Sequence, residues 1–368
     1  MASGLNPPQY ITGRPRWLLG LALIVCFATP AFAQSESSTN LQWLQPAPRT
    51  EDGRFINPIG PLSHGTSRGR WPFFWRRFLT AFRSRPGAAQ IAPGAREAFL
   101  SRPVDESLVT WIGHATVLVE MAGVRFLTDP MWSKRASPIS WIGPTRLQEP
   151  GLAWEDLPRI DFVLISHNHF DHLDRPSLRR LADLNPEIVF YVPLGNGELL
   201  RKDGLKNVIE LDWTESSGFG PVEIICLPAQ HWSKRSLSDD NKVLWSSWAV
   251  IGPEERFFFA GDTGYFSGFA EIGAAYGPFD LAAVPIGAYR PVDMMKLSHM
   301  NPEEAAQAAR DVRAEKALAI HFGTFDLADE PLDQPPQRFL EASQRPDAEP
   351  NEVSLEAWVF SLGEVRPF

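Results

Sequence analysis

Cysteine is nearly missing from this chain, since only Cys26 and Cys226 occur among its 368 residues. Cys26 falls in an N-terminal segment that we predict to be removed, so the mature chain would offer Cys226 no partner. An intramolecular disulfide is therefore excluded. An exported protein of this kind must be stabilised by its core or by bound metal.

The chain also has no excess of basic over acidic residues. Lys and Arg number 35 against 44 Asp and Glu, which gives a formal net charge of −9. This balance does not suit a partner whose phosphates must be neutralised over a broad surface, so we expect no nucleic-acid partner. Hydrophobic residues make up 44% and charged residues 21%, as in ordinary soluble proteins. The length suffices for one large domain or two small ones.

The longest apolar run near the N-terminus, Trp17–Pro30, is short for a membrane-spanning helix. Arg14 and Arg16 precede this run, and residues 31–33 (AFA) have the small-x-small form of a secretory cleavage site. We predict a signal peptide over residues 1–33, with an uncleaved N-terminal anchor as the alternative. Cleavage of this segment would remove two arginines and no acidic residues, so the formal net charge of the remaining chain would be −11. The segment indicates export, to a bacterial periplasm or envelope.

Residues 34–100 are predicted to form an N-terminal arm ahead of a main domain over residues 101–368. Within the arm, WPFFWRRFLTAFRSR (residues 71–85) places aromatic side chains at helical spacing among arginines. Such a segment suits a membrane interface, and a helix that packs its aromatic side on the main domain is the equal alternative. The predicted docking residues are Trp71, Phe74, Trp75 and Phe78.

From Leu108 onward, short β-rich runs alternate with helical patterns, which indicates a layered α/β architecture. The clearest helix spans residues 302–313, with Asn301 as its N-cap. The apolar runs 124–129 and 256–262 both end in an aspartate and indicate two similar halves. The predicted strands are 108–112, 116–121, 124–128, 162–165, 188–192, 222–226, 247–251, 256–260, 281–284 and 317–320.

The stretch SHNHFDHLD, residues 166–174, holds three of the chain's eight histidines directly after an apolar strand. A strand presents residues i and i+2 on one face, so His167 and His169 are predicted to point the same way. Asp171 and His172 follow where the chain turns towards a helix. Neutral imidazole and carboxylate are good ligands for zinc and similar ions, so this stretch predicts a metal site.

Further ligands are predicted beyond this stretch. His231, Asp262 and His321 each follow an apolar strand, where layered α/β folds gather their active sites. A lone histidine in such a place is more often structural, but the dense run upstream favours a ligand role here too. A carboxylate can bridge two ions, so Asp262 would complete two neighbouring sites. The seven predicted metal ligands are His167, His169, Asp171, His172, His231, Asp262 and His321.

An HxHxDH run followed by His, Asp and His, each after a strand, resembles the metallo-β-lactamase superfamily. Linked motifs narrow the resemblance to N-acylphosphatidylethanolamine-hydrolysing phospholipase D: TWIGHATVLVEMAGVRFLTDPMWS, QHWSKRSLSDDNKVLWSSWAV, FFFAGDTGYF and HMNPEEA. The resemblance implies an αβ/βα four-layer sandwich, two zinc ions, and release of phosphatidic acid and an N-acylethanolamine by a metal-bridging hydroxide. Manganese or iron would suit the same ligands. A phospholipid substrate and a peripheral membrane surface are the implied partners, and a homodimer is consistent with the family.

The resemblance also assigns roles to single residues. Asp129 resembles a supporting acid beside the ligands, His114 a residue near the metals, and His299 a histidine near the substrate phosphate. We expect Asp262 and His299 to be catalytic. Phe170 stands where relatives commonly carry Tyr, which removes a hydroxyl near the site. One zinc would take His167, His169 and His231, the other Asp171, His172 and His321, with Asp262 between them.

Other functions stay open at this point. The same site could open a lactone or hydrolyse a small phosphoester, which predicts no preference for lipid vesicles over soluble esters. A β-lactamase fits poorly with the extended lipase-like motifs. A non-catalytic metal-binding protein of the envelope is the alternative of another class, and loss of a ligand would favour it. None of the seven ligands is missing.

Overall fold

A computed structural model of the chain describes residues 42–62, 71–73, 75–77, 86–344 and 355–368. The strands in these ranges are β1 (Leu108–Gly113), β2 (Thr116–Met121), β3 (Val124–Thr128), β4 (Phe162–Leu164), β5 (Val189–Pro193), β6 (Val208–Leu211), β7 (Ser216–Phe219), β8 (Val222–Leu227), β9 (Ser247–Ile251), β10 (Arg256–Phe259), β11 (Phe279–Pro285), β12 (Ala314–Ile320), β13 (Glu356–Trp358) and β14 (Val365–Pro367). The helices are α1 (Ala95–Leu100), α2 (Arg175–Leu184), α3 (Gly197–Lys202), α4 (Gly268–Tyr276), α5 (Val292–Met295), α6 (Pro302–Asp311) and α7 (Gln334–Ser343), and a short 3₁₀ turn covers Trp154–Asp156.

The strands form two seven-stranded sheets whose orders mirror each other. The first sheet runs β14-β1-β2-β3-β4-β5-β6 and the second runs β13-β12-β11-β10-β9-β8-β7. The middle strand is β3 in one sheet and β10 in the other. Each pairs antiparallel with the strand before it and parallel with the strand after it. The two predicted runs that end in Asp129 and Asp262 are therefore equivalent central strands, and the sites gather at this change of pairing.

Side chains of the first sheet alternate between two cores. Phe126 points towards the second sheet, where its ring lies 5.6 Å from that of Phe257. Its neighbour Leu127 points the other way and packs with Leu178 and Leu181 of α2. Because the strands are buried on both faces, their sequences read as nearly continuous apolar runs. On the second sheet, α6 contacts β11 and β12. Helix, sheet, sheet and helix thus form the four layers, and the predicted fold class is confirmed.

Helix α6 begins as predicted and ends earlier. Asn301 Oδ1 accepts from the Glu304 N–H at 2.9 Å, and the Asn301 N–H donates to Glu304 Oε2 at 3.1 Å, a reciprocal capping box. The helix ends at Asp311 rather than at residue 313 because Arg313 has a left-handed φ of 63°.

Four strands of the structure, β6, β7, β13 and β14, are not predicted from the sequence pattern. Strand β7 has the sequence SSGF, which carries no apolar alternation, and β6 is only partly buried. Strands β13 and β14 have three residues each and exist through pairing with distant partners, for example Arg366 with Val109 of β1. Short edge strands of this kind are specified by the sheet they join rather than by their own residues.

The arm residues 42–62 pack on the rest of the chain. Trp43 and Phe55 are 2% and 1% exposed, and Trp43 Nε1 donates to Ser267 Oγ at 3.0 Å. The predicted signal peptide, residues 1–33, lies outside the described ranges. Within those ranges, no helix combines the length and the apolar character that crossing a bilayer requires.

Part of the aromatic and arginine segment is helical, namely residues 71–73 and 75–77. Phe73 is buried, whereas Trp71 and Trp75 are 75% and 58% exposed. Arg77 forms an ion pair with Asp326, which fixes this helix on the main domain. The segment therefore packs one side and exposes another. The predicted docking residues Phe74 and Phe78 lie outside the described ranges.

Candidate metal centre

The loop between β4 and α2, residues 166–173, is the metal-ligand loop, and Asp129 at the end of β3 fixes its start. The Ser166 N–H donates to Asp129 Oδ1 at 2.7 Å, and Ser166 Oγ donates to Oδ2 at 2.5 Å. His172 Nδ1 lies 2.6 Å from the same Oδ2. Asp129 is fully buried, with a left-handed φ of 34°. A carboxylate on Nδ1 leaves His172 Nε2 facing the site, which is the supporting contact expected of this acid.

Three histidines from both sheets form the first cluster: His167, His169 and His231. His167 Nε2 lies 2.8 Å and His231 Nε2 lies 3.3 Å from His169 Nδ1. The outer nitrogens of two of these histidines are occupied, since His231 Nδ1 donates to Ser298 O at 2.9 Å and Ser166 Oγ contacts His167 Nδ1 at 2.9 Å. Three inward nitrogens therefore meet at one point and could hold one ion.

The second cluster consists of Asp171, His172 and His321. Asp171 Oδ2 lies 3.4 Å from His172 Nε2 and 3.6 Å from His321 Nε2. His114 Nε2 lies 2.9 Å from the same oxygen, so His114 contacts a predicted ligand directly. The His114 N–H also donates to Thr324 Oγ1 at 2.7 Å. The four side chains are close enough to hold a second ion, with His114 as either a ligand or the residue that orients Asp171.

Asp262, at the end of β10, lies between the two clusters. Its Oδ2 is 3.2 Å from His172 Nε2, and its Oδ1 is 3.2 Å from His321 Nε2. The same Oδ2 is 3.9 Å from His167 Nε2 and 4.0 Å from His231 Nε2. The carboxylate thus faces both clusters, as a bridging ligand must.

His299 and Trp232 border the clusters. His299 Nδ1 lies 3.8 Å from Asp262 Oδ2, and its side chain is 14% exposed. Burial lowers the pKa of His299 to about 4, so its imidazole is neutral at neutral pH. The Trp232 ring lies 4.4 Å from that of His169. His299 therefore lies beside Asp262 with its side chain partly exposed.

Unpartnered buried atoms test whether this centre fits metal ions. Among the described residues, buried polar atoms without a hydrogen bond include His169 Nε2, His172 Nε2, His299 Nδ1, both ring nitrogens of His321, and Asp262 Oδ1. Buried polar atoms nearly always have a partner, and an unmade bond costs about 1–3 kcal/mol each. Three of these atoms, His172 Nε2, His321 Nε2 and Asp262 Oδ1, meet at the second cluster, and imidazole nitrogen and carboxylate oxygen of this kind fit a bound divalent cation.

The charges of the two clusters differ. Burial holds the pKa of His167 and His231 well below the ordinary value, so the first cluster presents neutral nitrogens, the form that binds metal. Burial acts the same way on the second cluster, but the carboxylates of Asp171 and Asp262 outweigh it. They raise the pKa of His172 well above its usual range and that of His321 to about 9. Protons there balance the two carboxylates, and a metal ion would take their place.

Asn57, in the arm, also belongs to this centre. Its Nδ2 donates to His231 O at 2.9 Å, and the His231 N–H donates to Asn57 Oδ1 at 3.1 Å. Asn57 is 2% exposed. The arm therefore holds the backbone of a predicted ligand 174 positions away. No local pattern marks this contact, because Asn57-Pro58 reads only as a turn.

Similarity to known proteins agrees with this geometry. The family model for the Beta-lactamase superfamily domain matches residues 124–322. N-acyl-phosphatidylethanolamine-hydrolyzing phospholipase D 1 of Caenorhabditis elegans is 50% identical over 228 residues, which cover 59% of this chain and 64% of that protein. An uncharacterized protein of Mycobacterium tuberculosis is 39% identical over 89% of this chain and 87% of its own. A UPF0173 metal-dependent hydrolase of Caldivirga maquilingensis is 31% identical over 58% of this chain and 82% of its own.

Solved structures agree on the fold. Igni18, a metallo hydrolase from Ignicoccus hospitalis, superposes with a TM-score of 0.53 at 21% identity, covering 71% of this chain and 98% of that one.

Proposed function

Because this chain belongs to the metallo-β-lactamase superfamily and is a metal-dependent hydrolase, we propose that it is a phosphodiesterase of phospholipase D type. The proposed substrate is N-acylphosphatidylethanolamine or a related phospholipid, and the products are phosphatidic acid and an N-acylethanolamine. The observation that carries the proposal is the position of Asp262 between two ligand clusters. Two adjacent metal positions are the arrangement that suits an in-line displacement at phosphorus. The nematode relative named for this reaction supports the choice of substrate.

The reaction adds water across one phosphoester bond. The water oxygen joins phosphorus, the bond from phosphorus to the ethanolamide oxygen breaks, and the leaving oxygen takes up a proton. Two ions in the clusters, which we propose to be zinc, would supply Lewis acidity towards the water and the phosphoryl oxygens. The protein's own groups then have to orient the water and the phosphate.

Asp262 and His299 are the groups placed for this work. The buried carboxylate of Asp262 lies between the two clusters, so it can accept a hydrogen bond from the attacking water and relay its proton. The neutral His299 has an unpartnered Nδ1 near Asp262 and is partly exposed, so its ring can donate to a phosphoryl oxygen.

Incubation with lipid vesicles tests the proposal. Purified protein, loaded with zinc or stripped of metal, is mixed with vesicles of N-acylphosphatidylethanolamine or of plain phosphatidylethanolamine, and mass spectrometry detects the products. Metal-dependent release of phosphatidic acid and N-acylethanolamine supports the function. Release from both lipids indicates a broader phospholipase D. Zinc-loaded protein that attacks neither lipid but opens lactones or soluble phosphoesters contradicts it.

A bilayer substrate also requires contact with the membrane, and we propose that the exposed Trp71 and Trp75 make it. Aromatic rings of this kind partition into the headgroup region of a bilayer. The double variant Trp71→Ser, Trp75→Ser should lose vesicle sedimentation while hydrolysing detergent-dispersed lipid normally. Trp141, which lies in a loop and is 72% exposed, provides the matched control as Trp141→Ser. Unchanged vesicle binding in the folded double variant would refute this role.

A further inference from the structure

Arg235 lies on the loop after β8, and its guanidinium contacts the backbone of the metal-ligand loop. Arg235 Nη1 donates to Asn168 O at 2.7 Å and to Leu173 O at 2.9 Å. His169 O lies 3.5 Å from the same nitrogen. These carbonyls bracket residues 169–172, which carry three of the seven predicted ligands, so one guanidinium contacts the backbone on both sides of them.

The aromatic ring inside this stretch adds a second contact. The guanidinium carbon of Arg235 lies 4.1 Å from the centroid of the Phe170 ring, a cation–π distance. Burial lowers the pKa of Arg235 to about 10, so the group remains charged at neutral pH. Hydrogen bonds from a charged donor are about twice as strong as neutral ones, which suits a contact that must fix backbone.

The two sides of the metal-ligand loop have different surroundings. Ligand side chains converge on the clusters, whereas Asn168, Phe170 and Leu173 line an open cleft of about 810 Å³ together with Arg235. The Lys234 N–H donates to Asn168 Oδ1 at 3.0 Å, so consecutive residues of one loop hold the other. Among the described residues on the cleft side, Arg235 is the one whose side chain donates hydrogen bonds to the carbonyls of Asn168 and Leu173.

We propose that Arg235 is a positioning residue of the metal centre. Its guanidinium fixes the metal-ligand loop in the one conformation in which the nitrogens of the first cluster meet. It touches the loop's backbone and not the ligand nitrogens, so it acts through them. The inference rests on the two clusters being a metal centre and does not depend on the identity of the substrate.

Three variants separate positioning from general effects. Arg235→Met keeps the length of the stem over Phe170 and removes every donor. Arg235→Lys keeps the charge, but a compact ammonium on a shorter side chain replaces the planar guanidinium that places Nη1 between the two carbonyls and lies over Phe170. Arg179→Ala is the matched control, because Arg179 lines the same cleft and pairs with Asp203 at 3.3 Å instead of with the loop.

Metal binding by the full-length protein is the readout. Zinc affinity is measured by competition with a chromophoric chelator, and the absorption bands of the cobalt(II)-substituted protein report ligand geometry. Removal of a group that orients metal ligands typically weakens metal binding 10- to 100-fold. We expect about that loss and shifted cobalt bands for Arg235→Met, a smaller loss for Arg235→Lys, and wild-type behaviour for Arg179→Ala.

Several results would overturn the proposal. One is wild-type zinc affinity and cobalt spectrum in folded Arg235→Met. Another is a lower unfolding temperature with an unchanged cobalt spectrum, since that indicates a structural role alone. A third is an equal loss in Arg179→Ala, which would assign the effect to the charge of the cleft. If circular dichroism shows that Arg235→Met does not fold, Arg235→Lys decides by the same measurements. None of these measurements uses lipid hydrolysis, so they test the role of Arg235 even if the protein does not hydrolyse the proposed lipid.

Discussion

Replacement of Asn57 by alanine should destabilise the folded chain by about 2–6 kcal/mol. The side chain makes two hydrogen bonds with the backbone of His231, at 2.9 and 3.1 Å, and both residues are almost fully buried. Alanine would leave one buried N–H and one buried C=O without partners, and each costs about 1–3 kcal/mol. Asn57→Asp should not restore stability, because it loses the donor and buries a carboxylate beside a carbonyl oxygen.

Urea unfolding of metal-free protein measures this loss without interference from bound ions. Thr50→Ala is the control, since Thr50 lies in the same arm, is exposed, and its side chain forms hydrogen bonds with its near neighbours Asp52 and Arg54. That control should stay within about 0.5 kcal/mol of wild type. Zinc titration should then show that Asn57→Ala binds less tightly, because His231 is no longer fixed. A loss below 1 kcal/mol together with normal zinc affinity would refute the reasoning.

Three further predictions concern charge and metal. Asp262→Asn should nearly abolish hydrolysis and lower the metal content per chain, as measured by elemental analysis; near wild-type turnover would contradict the bridging role. Removal of metal should lower the unfolding temperature in calorimetry, because an ion at 1,000 times its dissociation constant stabilises the native state by about 4.1 kcal/mol; identical temperatures would count against a bound ion. Burial raises the pKa of Glu120, but the hydrogen bonds from Arg102 and Arg125 outweigh it and lower that pKa below 4.5. Its stabilising contribution is therefore present above pH 4.5 and is lost as pH falls through the lowered pKa. The stability difference between wild type and Glu120→Gln should shrink on acidification, and a constant difference would contradict the ion-pair explanation.

The sequence pattern indicated the candidate ligands because their placement is local. An apolar strand followed by HxHxDH determines both the strand end and the direction of the first side chains, and this is visible within ten residues. The apolar runs ending in Asp129 and Asp262 likewise indicated two similar halves, and the structure shows these runs as the central strands of the two sheets. Burial on both faces made those strands conspicuous, since each of their residues is apolar for one core or the other.

The contacts that position the candidate ligands could not be predicted from the sequence in the same way. Asn57 and Arg235 act on backbone atoms 174 and 62–67 positions away, and a backbone atom leaves no trace in the residue types around it. The edge strands β7, β13 and β14 escaped for a related reason, because their partners rather than their own side chains decide their conformation. Such features depend on the assembled tertiary structure, which periodicity along the chain does not encode.

The placement of β14 beside β1 has a consequence for biosynthesis. Residues 365–367 form β14, the strand at one edge of the first sheet, and His321 directly follows β12 of the second sheet. A growing polypeptide on the ribosome therefore exposes an unfinished first sheet until residue 367 has emerged, and an incomplete second cluster until residue 321 has emerged. A product truncated before residue 321 would lack one of the predicted ligands of that cluster, however much metal is supplied.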